Sequence, residues 1–378
     1  MITVCVPTKN RAPFVRRLLA YFAATRFSGH ILIGDSSDAE HGAQTRAAVE
    51  AARRSLVVGY HEYPGLSSCE CLEQLAARVT TPCCVFVGDD DFLCTPGVMR
   101  CVEELQRHPE YGAVHGTGII LHLDRPGPHG TIIGLSRYPQ AILHPTTGAG
   151  RLRKVLLPDG GAVFYAVHRT EHWRAMFAGV SQMAGTTNRN LFKDELMATC
   201  VSAIRGRIVE INDLSLVRQS HDGIYRHPVL YDWVTDDPWL PSFRVFQARL
   251  VEELARQDGL STDDAAAVVR EMFWRFLAEI FFKEWHRTYE KPRIATAPSR
   301  VRAALKRLPG LRSLKQRVMA TVQRRRDPLS LPALLDPSSP HHRAFLPIYQ
   351  AVTTLAEATV DATTSSPEWA ATVGETRG

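Results

Sequence analysis

Short apolar runs alternate with amphipathic stretches along the first 220 residues of the chain. The runs have strand length and end on glycine or polar residues, whereas the stretches between them repeat apolar residues at helical spacing. The predicted strands are 2–6, 31–34, 56–61 and 84–88, and the predicted helices are 13–26, 40–54, 67–79 and 94–112. This alternation predicts an α/β fold with a mostly parallel, doubly wound sheet that binds ligands at the carboxyl ends of its strands.

The pattern changes twice in the rest of the chain. Glycine and proline are frequent at 124–161, which predicts surface loops, and beyond Trp239 the pattern is helical, with its longest and most apolar helix at 263–289. Between these regions we predict a strand, a helix and a strand at 162–168, 189–205 and 207–211. We expect an α/β domain at 1–225, a helical C-terminal region at 226–358 and a flexible tail at 359–378.

The composition is that of an ordinary globular protein. The 378 residues are 45% hydrophobic and 22% charged, and the mean hydropathy is −0.14. The first residues lack the basic and apolar regions of a signal peptide, and no run approaches the roughly 18–20 apolar residues that span a membrane. We therefore predict a cytoplasmic protein whose eight cysteines are reduced and buried.

The net charge of +6 is unevenly distributed. The basic segment, residues 291–326, contains twelve Lys or Arg and no Asp or Glu, so the remainder of the chain is slightly acidic. Such a segment favours an anionic partner. Within it, 299–326 predicts an amphipathic helix that either lies on the inner membrane face or packs as a solvated face on the rest of the protein. We expect no nucleic-acid partner.

Three consecutive aspartates end a predicted strand in "CVFVGDDDFL", residues 84–93. Adjacent carboxylates repel one another, and burial adds the cost of lost hydration. Mg²⁺ and Mn²⁺ prefer carboxylate oxygens and commonly join a protein to phosphate groups. The run therefore indicates a metal site at the ligand-binding edge of the sheet, or an acidic turn that caps the next helix.

Several segments resemble, in order, the landmarks of family 2 glycosyltransferases, which have the GT-A fold. They cover the opening strand and nucleotide loop, the second strand, the Asp-x-Asp site, a glycine-containing donor loop, the acidic catalytic segment and a later histidine. In this sequence they are 4–22, 31–38, 84–93, 157–173, 190–197 and 217–223.

The resemblance implies a divalent cation, Mn²⁺ or Mg²⁺, at the aspartates. Asp91 would coordinate the ion, and Asp89 would contact the ion or the ribose of the donor. Asp90 is expected near the donor without an assigned role. His221 would be a nitrogen ligand or a hydrogen-bond donor to the diphosphate, unless it is merely a surface residue.

The resemblance also implies a binding site for a nucleotide-sugar donor. Pro7, Thr8 and Arg11 follow the first strand, where backbone groups would meet the nucleobase and Arg11 would meet phosphate. Asp35 would accept hydrogen bonds from uracil or ribose. These four residues have an alternative interpretation as turn residues before a helix. Two glycines, Gly160 and Gly161, would let the backbone approach the donor sugar, or would form a hairpin turn.

The catalytic base is expected in "NLFKDELM", residues 190–197. Asp194 and Glu195 would point about 100° apart on a helix, so only one of them can face the site. The resemblance favours Asp194 as the base, with Glu195 positioning the acceptor or capping the helix. Alternatively, both carboxylates only stabilise a helix N-terminus.

The function implied by the resemblance is metal-dependent, inverting transfer of a sugar from a nucleoside-diphosphate donor, by default a UDP-sugar. The acceptor would be a glycan, a lipid-linked molecule or a protein. One alternative is a sugar-1-phosphate nucleotidyltransferase, although "VPTKNR" at 6–11 lacks the glycines that this class carries after its first strand. Another is a degenerate GT-A domain that binds a nucleotide-sugar or a partner without catalysis.

Overall fold

The computed structural model describes residues 1–157, 160–183, 190–221, 228–289 and 327–363. The basic segment and residues 364–378 of the predicted tail lie outside the described residues.

The described residues form a nine-stranded mixed sheet with the order β3-β2-β1-β4-β8-β6-β9-β5, in which β7 pairs with β6. Strands β1 to β4 are parallel to one another, and β6 is parallel to β9, whereas β8, β7 and β5 pair with their neighbours in antiparallel fashion. The strands are β1 (Ile2–Thr8), β2 (His30–Asp35), β3 (Val57–Glu62), β4 (Cys83–Phe86), β5 (Phe92–Leu93), β6 (Tyr111–Leu123), β7 (Ile132–Tyr138), β8 (Val167–Arg169) and β9 (Arg207–Ser220).

Helices flank this sheet, and the described residues beyond Trp239 that have regular structure are all helical. The α/β class and the helical C-terminal region predicted from the sequence are therefore confirmed. The helices are α1 (Ala12–Ala24), α2 (Ala39–Ala52), α3 (Ser68–Arg78), α4 (Thr95–Arg107), α5 (Gly148–Val155), α6 (Thr170–Phe177), α7 (Met197–Arg205), α8 (Leu230–Thr235), α9 (Trp239–Asp258), α10 (Thr262–Tyr289), α11 (Leu331–Leu335) and α12 (His342–Thr363).

Parallel pairing brings the carboxyl ends of β1 to β4 to one edge of the sheet. Thr8 of β1 is in register with Asp35 of β2, and Asp35 is in register with Glu62 of β3. Beyond β4, the amide of Val87 donates to the carbonyl of Cys5 at 3.1 Å, so this strand reaches the same edge just before the aspartates. The edge predicted to bind ligands therefore contains the polar residues that the sequence placed there.

The prediction of surface loops at 124–161 is wrong in part. The stretch contains β7, which forms an antiparallel pair with β6, and the helix α5. Strand β7 is half exposed and carries Gly134, Ser136 and Arg137, so its sequence lacks the apolar run of a buried strand. The predicted strand at 162–168 is also shorter than expected, because only Val167–Arg169 pairs with β4 and β6.

Two hydrophobic clusters cover the two faces of the sheet, since alternate residues of β1 belong to different clusters. One cluster includes Phe345, Ile348 and Val352 of α12. The other includes Phe192, around which the rings of α8, α9 and α10 are packed, among them Trp233 at 4.9 Å and Phe246 at 5.0 Å between ring centroids. The helices after β9 therefore support the segment that carries Asp194 and Glu195.

All eight cysteines lie in the described residues, where they are buried and form no disulfide. This confirms the prediction that they act as small buried hydrophobic residues. Burial raises the pKa of each of these thiols, for example that of Cys71 to about 12. No described helix combines the length and the apolar character needed to cross a membrane.

Candidate functional site

The aspartate cluster, Asp89–Asp91, occupies the turn between β4 and β5 at the carboxyl edge of the sheet. The turn is closed by a hydrogen bond from the Asp91 amide to the Gly88 carbonyl at 3.1 Å. A Cβ atom at Gly88 would lie 2.6 Å from Oδ1 of Asp90, so a larger residue here would displace that carboxylate. The three carboxylates have different surroundings.

Asp89 is 3% exposed and faces the loop after β1. Its Oδ2 accepts a hydrogen bond from the Thr8 hydroxyl at 2.6 Å, and its Oδ1 accepts one from the Arg11 guanidinium at 3.1 Å. Burial and the neighbouring charge of Asp90 raise the pKa of Asp89, and Arg11 and Thr8 oppose this rise. The structure thus brings together three residues that the sequence assigned to donor binding.

Asp91 is 1% exposed and faces β9 instead. Its Oδ2 accepts hydrogen bonds from the Tyr165 hydroxyl at 2.6 Å and from Nε of Arg218 at 3.2 Å, and its Oδ1 accepts one from the Gln219 amide at 2.9 Å. The Arg218 guanidinium lies over the rings of Tyr138 and Tyr165, 4.7 Å and 4.9 Å from their centroids. Both oxygens of Asp91 are therefore engaged inside the protein.

Asp90 has the most exposed of the three carboxylates, with 14% of its side chain accessible. Its Oδ2 interacts with the Arg11 guanidinium at 2.9 Å and with Nε2 of His221 at 2.6 Å, and the His221 ring stacks on Phe14. Its carbonyl accepts a hydrogen bond from the Arg17 guanidinium at 2.7 Å. Burial raises the pKa of Asp90, but His221 and Arg11 outweigh burial, so the net shift is downward.

Three arginines balance the charge of the aspartate cluster. Arg11 pairs with Asp89 and Asp90, Arg218 pairs with Asp91, and Arg17 bonds the backbone of the cluster. Arg17 is 4% exposed, and burial lowers its pKa to about 10, which still leaves it cationic at neutral pH. The adjacent carboxylates are therefore stabilised by cations of the chain itself.

The donor atoms of the aspartate cluster fit a divalent cation only with outside ligands. Among the described residues, no group of three or more His, Cys, Asp and Glu side chains could hold an ion by itself. Mg²⁺ and Mn²⁺ sites often use one or two protein ligands and take the others from water and substrate phosphates. Asp90 and His221 fit that pattern, and Asp90 has the most exposed carboxylate of the cluster, whereas the carboxylates of Asp91 and Asp89 lie deeper. The metal role predicted for Asp91 and Asp89 stays a prediction.

The predicted nucleoside side of the site lies at the ends of β1 and β2. Asp35 is buried, and its carboxylate accepts hydrogen bonds from the Ser37 amide and the Tyr60 hydroxyl, both at 2.8 Å. Pro7 is half-buried in β1. Asn10, in the loop after β1, has a left-handed conformation with φ 56°. Its backbone amide and side chain form hydrogen bonds to the loop after β2.

A shallow cavity of about 350 Å³ opens beside Tyr60 at the carboxyl edge of β3. Its lining contains aromatic rings and charged groups, and the His61 and Tyr63 rings stack with centroids 6.2 Å apart. It is lined by Arg46, Tyr60, His61, Glu62, Tyr63 and Arg78.

Gly160 and Gly161 pack against the backbone of their own domain. A Cβ atom at Gly160 would lie 2.0 Å from the Val155 carbonyl oxygen. Gly161 has φ +76°, and a Cβ atom there would lie 2.6 Å from the carbonyl carbon of Gln140. These contacts require glycine without any ligand, so the predicted contact with the donor sugar stays a prediction. The preceding Asp159 lies outside the described residues.

Asp194 and Glu195 lie in a single π-helical turn, Phe192–Leu196, which continues into α7. The Met197 amide donates to the Phe192 carbonyl, five residues earlier, so the spacing of an ordinary α-helix does not apply here. Asp194 is buried, and its carbonyl accepts a hydrogen bond from Sγ of Cys69 at 3.2 Å. Glu195 is half-buried. π-helical turns are frequent at functional sites.

Glu195 acts electrostatically on the same aromatic wall that holds Arg218. Burial raises the pKa of Tyr138 to about 12, and among the charges Arg218 lowers it while Asp91 and Glu195 raise it. The Glu195 carboxylate therefore lies within electrostatic range of Tyr138. The Tyr138 ring contacts the Arg218 guanidinium, which pairs with Asp91. The charge of Glu195 thus acts on the ring that contacts Arg218.

The sequence analysis assigned no role to four residues that contact the aspartate cluster. Three of them lie within the matched segments 157–173 and 217–223, but the motifs do not show which side chains of these distant segments reach the aspartates. Arg17 in particular would pass for a surface residue of α1. These residues are Arg17, Tyr165, Arg218 and Gln219.

No family model and no curated protein matches the chain. Among solved structures it is similar to TarS from S. aureus, with 13% identity and a TM-score of 0.46 over 76% of this chain and 44% of that chain. The chain thus spans less than half of that TarS chain. TarS 1–349 in complex with UDP-GlcNAc gives 14% identity and a TM-score of 0.46 over 76% of each chain.

A mannosyltransferase from Pyrobaculum calidifontis, in complex with GDP-Man and Mn²⁺, is also similar, with 12% identity and a TM-score of 0.37. The match covers 93% of this chain and 86% of that one. Similarities at these scores carry no argument about activity, which rests on the site described above.

Proposed function

We propose that the protein is a glycosyltransferase that uses a nucleoside-diphosphate sugar as donor. The observation that carries this proposal is the contact of Arg11 with both Asp89 and Asp90 at the carboxyl edge of β1 and β4. Ligands of parallel sheets bind at this edge. The Arg11 side chain is 29% exposed, so its guanidinium can also meet the phosphates of a donor.

The strand order supports an extended donor along this edge. Three strand spacings, about 14 Å, separate β3 from β4. The nucleoside would lie near Asp35 and the cavity beside Tyr60, and the diphosphate would lie beside Arg11 and Asp90. Uracil is our default base, and the predicted contacts of Pro7 and Thr8 belong to this arrangement.

We assign a divalent cation, Mn²⁺ or Mg²⁺, to Asp90 and His221 together with the diphosphate oxygens. Such an ion would supply Lewis-acid stabilisation of the departing diphosphate. This assignment moves the main metal ligand from Asp91, whose oxygens are bound by Tyr165, Arg218 and Gln219, to its more exposed neighbour. Asp89 then orients Arg11 and Thr8 toward the donor.

We place the catalytic base at Glu195 instead of Asp194. An acceptor hydroxyl has a pKa far above neutral, so a carboxylate must take its proton as attack on the anomeric carbon proceeds. In one displacement the new bond forms on the face opposite the leaving diphosphate, and the product is inverted. Glu195 is half-buried, and its charge raises the pKa of Tyr138. The Tyr138 ring contacts Arg218, which pairs with Asp91. Our expected acceptor is a glycan, a lipid-linked molecule or a protein.

A thermal-shift screen of UDP, GDP, ADP and dTDP, each with and without Mn²⁺, tests the proposal. One nucleotide at about 100 times its dissociation constant should stabilise the protein by about 2.7 kcal/mol. Arg11→Ala should lose this stabilisation, whereas Arg16→Ala, an exposed cation on the adjacent helix, should retain it.

The nucleotide found in this screen then selects the sugar donors for an assay of donor hydrolysis and transfer. Turnover that Arg11→Ala removes would support the proposal. If no nucleoside diphosphate stabilises the protein, the proposal is wrong. Binding without turnover of any donor would favour a domain that only binds nucleotide-sugars.

A further inference from the structure

From Trp274 onward, α10 has an exposed aromatic face. Five side chains on it are 40% to 74% exposed, and at 100° per residue they fall within an arc of about 100°. The rings contact along the helix, with the Trp285 and Tyr289 centroids 6.4 Å apart. The aromatic face consists of Trp274, Phe281, Phe282, Trp285 and Tyr289.

After Leu277, α10 extends beyond the protein core. The buried residues of the helix lie between Ala265 and Leu277, and none of the residues after Leu277 is buried. The remaining twelve residues correspond to about 18 Å of helix. The aromatic-rich stretch 273–285 favours a packed core in the sequence, and this is wrong in part, because Phe273 packs in the core whereas Trp274, Phe282 and Trp285 are exposed.

A contiguous aromatic surface of this kind marks an interaction site in a protein of globular composition. Trp and Tyr side chains suit the interface between a bilayer and water, because their rings are apolar and their edges can form hydrogen bonds. Since no described helix can cross a membrane, the aromatic face would lie on a bilayer without spanning it.

The charge of the chain indicates the headgroup charge of the bilayer that the aromatic face would contact. The basic segment begins at Lys291, two residues after the aromatic face ends at Tyr289, and it carries twelve cations without an anion. Cations close to an interfacial helix are attracted to anionic lipid headgroups, and aromatic side chains add apolar burial to that attraction. The two features are adjacent in sequence and complementary in chemistry.

We propose that the aromatic face of α10 docks on an anionic bilayer surface, because the sequence directly after it is rich in cations. This inference goes beyond the catalytic proposal and does not depend on it. It adds a surface in the described residues to the membrane contact that the sequence predicts for 299–326 alone.

Vesicle flotation with the full chain tests the proposal. Vesicles of phosphatidylcholine alone are compared with vesicles containing 30% phosphatidylglycerol, at low salt and at 0.5 M NaCl. We expect at least about tenfold stronger binding to the anionic vesicles, with loss at high salt because the headgroup charge is screened.

Replacing Trp274, Phe282 and Trp285 together by Ala should weaken binding to anionic vesicles about tenfold or more. The matched control replaces Val57 and Ile133 by Ala, because these apolar side chains are 60% and 61% exposed on strands of the sheet. The control should bind as the parent protein does. All the replaced side chains are exposed, so each variant should keep its melting temperature.

Bromine in the lipid acyl chains gives a second measurement, since it quenches a tryptophan that enters the interface. Quenching should be smaller in Trp285→Phe than in the parent protein. Equal binding to neutral and anionic vesicles would overturn the proposal. Full binding by the triple variant would also overturn it. A protein that binds no vesicles but self-associates, with the triple variant abolishing that self-association, would overturn it as well.

Discussion

Nζ of Lys193 donates a hydrogen bond to Oε1 of Glu70 at 2.8 Å and so joins the π-helical turn to the start of α3. Lys193 is 5% exposed, and the two candidate bases, Asp194 and Glu195, follow it directly in the chain. The other oxygen of Glu70 accepts the Ser67 amide at 2.8 Å and completes the capping box of α3. A single carboxylate thus caps one helix and holds the acidic segment.

Replacing Glu70 by Gln should keep the capping box and remove the charge that holds Lys193. We expect a loss of about 1–3 kcal/mol in the free energy of unfolding, because a largely buried cation loses its partner. If the pair positions Glu195, kcat of transfer should fall while KM for the donor stays unchanged. Urea unfolding and steady-state kinetics measure the two effects.

The control for this variant is Glu103→Gln, which breaks two exposed ion pairs on α4 and should change stability by less than about 0.5 kcal/mol. Lys193→Arg keeps the charge pair with Glu70 and should retain much of kcat. If Glu70→Gln lowers stability but kcat stays normal, the ion pair between Lys193 and Glu70 has only a structural role.

The contribution of Glu70 to stability should depend on pH. Burial raises its pKa, but Lys193 and Ser67 outweigh burial, so the folded-state pKa lies below the ordinary value of 4.5. The contribution is therefore fully present above pH 4.5 and is lost as the pH falls through the folded-state pKa. The difference in unfolding free energy between the parent protein and Glu70→Gln should shrink below pH 4.5. A constant difference down to pH 3 would contradict this reasoning.

Asp91→Asn and Asp90→Asn should behave differently. Asp91→Asn leaves the Arg218 guanidinium without its buried counter-charge, so we expect a loss of about 3–5 kcal/mol of stability. Asp90→Asn should cost less stability and should abolish Mn²⁺-dependent nucleotide binding. Urea unfolding and nucleotide titration with Mn²⁺ separate these effects. A stable Asp91→Asn protein that has lost only Mn²⁺-dependent binding would restore the metal role predicted from the sequence.

Glu195→Gln should reduce transfer by about 10²–10⁴-fold and leave the dissociation constant of the donor unchanged. Asp194→Asn is the matched comparison, since it changes the adjacent carboxyl in the same turn. It should retain measurable transfer, with some loss of stability because Asp194 is buried. Transfer rates and nucleotide titration are measured on both. Normal transfer by Glu195→Gln with an inactive Asp194→Asn would return the base to Asp194.

Gly161→Ala should destabilise the protein more than Gly65→Ala. Both glycines have positive φ, +76° and +81°, so each substitution costs about 1–2 kcal/mol of backbone strain. At Gly65 a Cβ atom meets nothing within 4 Å, whereas at Gly161 it would lie 2.6 Å from the Gln140 backbone. The difference in unfolding free energy measures this close packing. Equal losses would show that the loop at Gly161 can move away from Gln140.

The periodicity of the sequence determined the strands and helices around the site. A parallel sheet places the ends of successive strands at one edge, so Thr8, Asp35 and Asp89 could be placed together from the chain order alone. The same reasoning places Arg11 at this edge, because the loop after β1 lies there, but its pairing with Asp89 and Asp90 was not predicted. These inferences need only local patterns and the geometry of the sheet.

Tertiary structure decided the partners of each carboxylate. Asp91 bonds Tyr165 and Arg218, which are 74 and 127 residues away in the chain, so no local pattern could select them. The orientation of Glu195 depends on a π-helical turn supported by packing around Phe192, because helical spacing alone does not predict a bulge. The exposure of Trp285 could not be predicted either. An aromatic residue in a helical sequence looks the same whether another helix covers its side chain or solvent surrounds it.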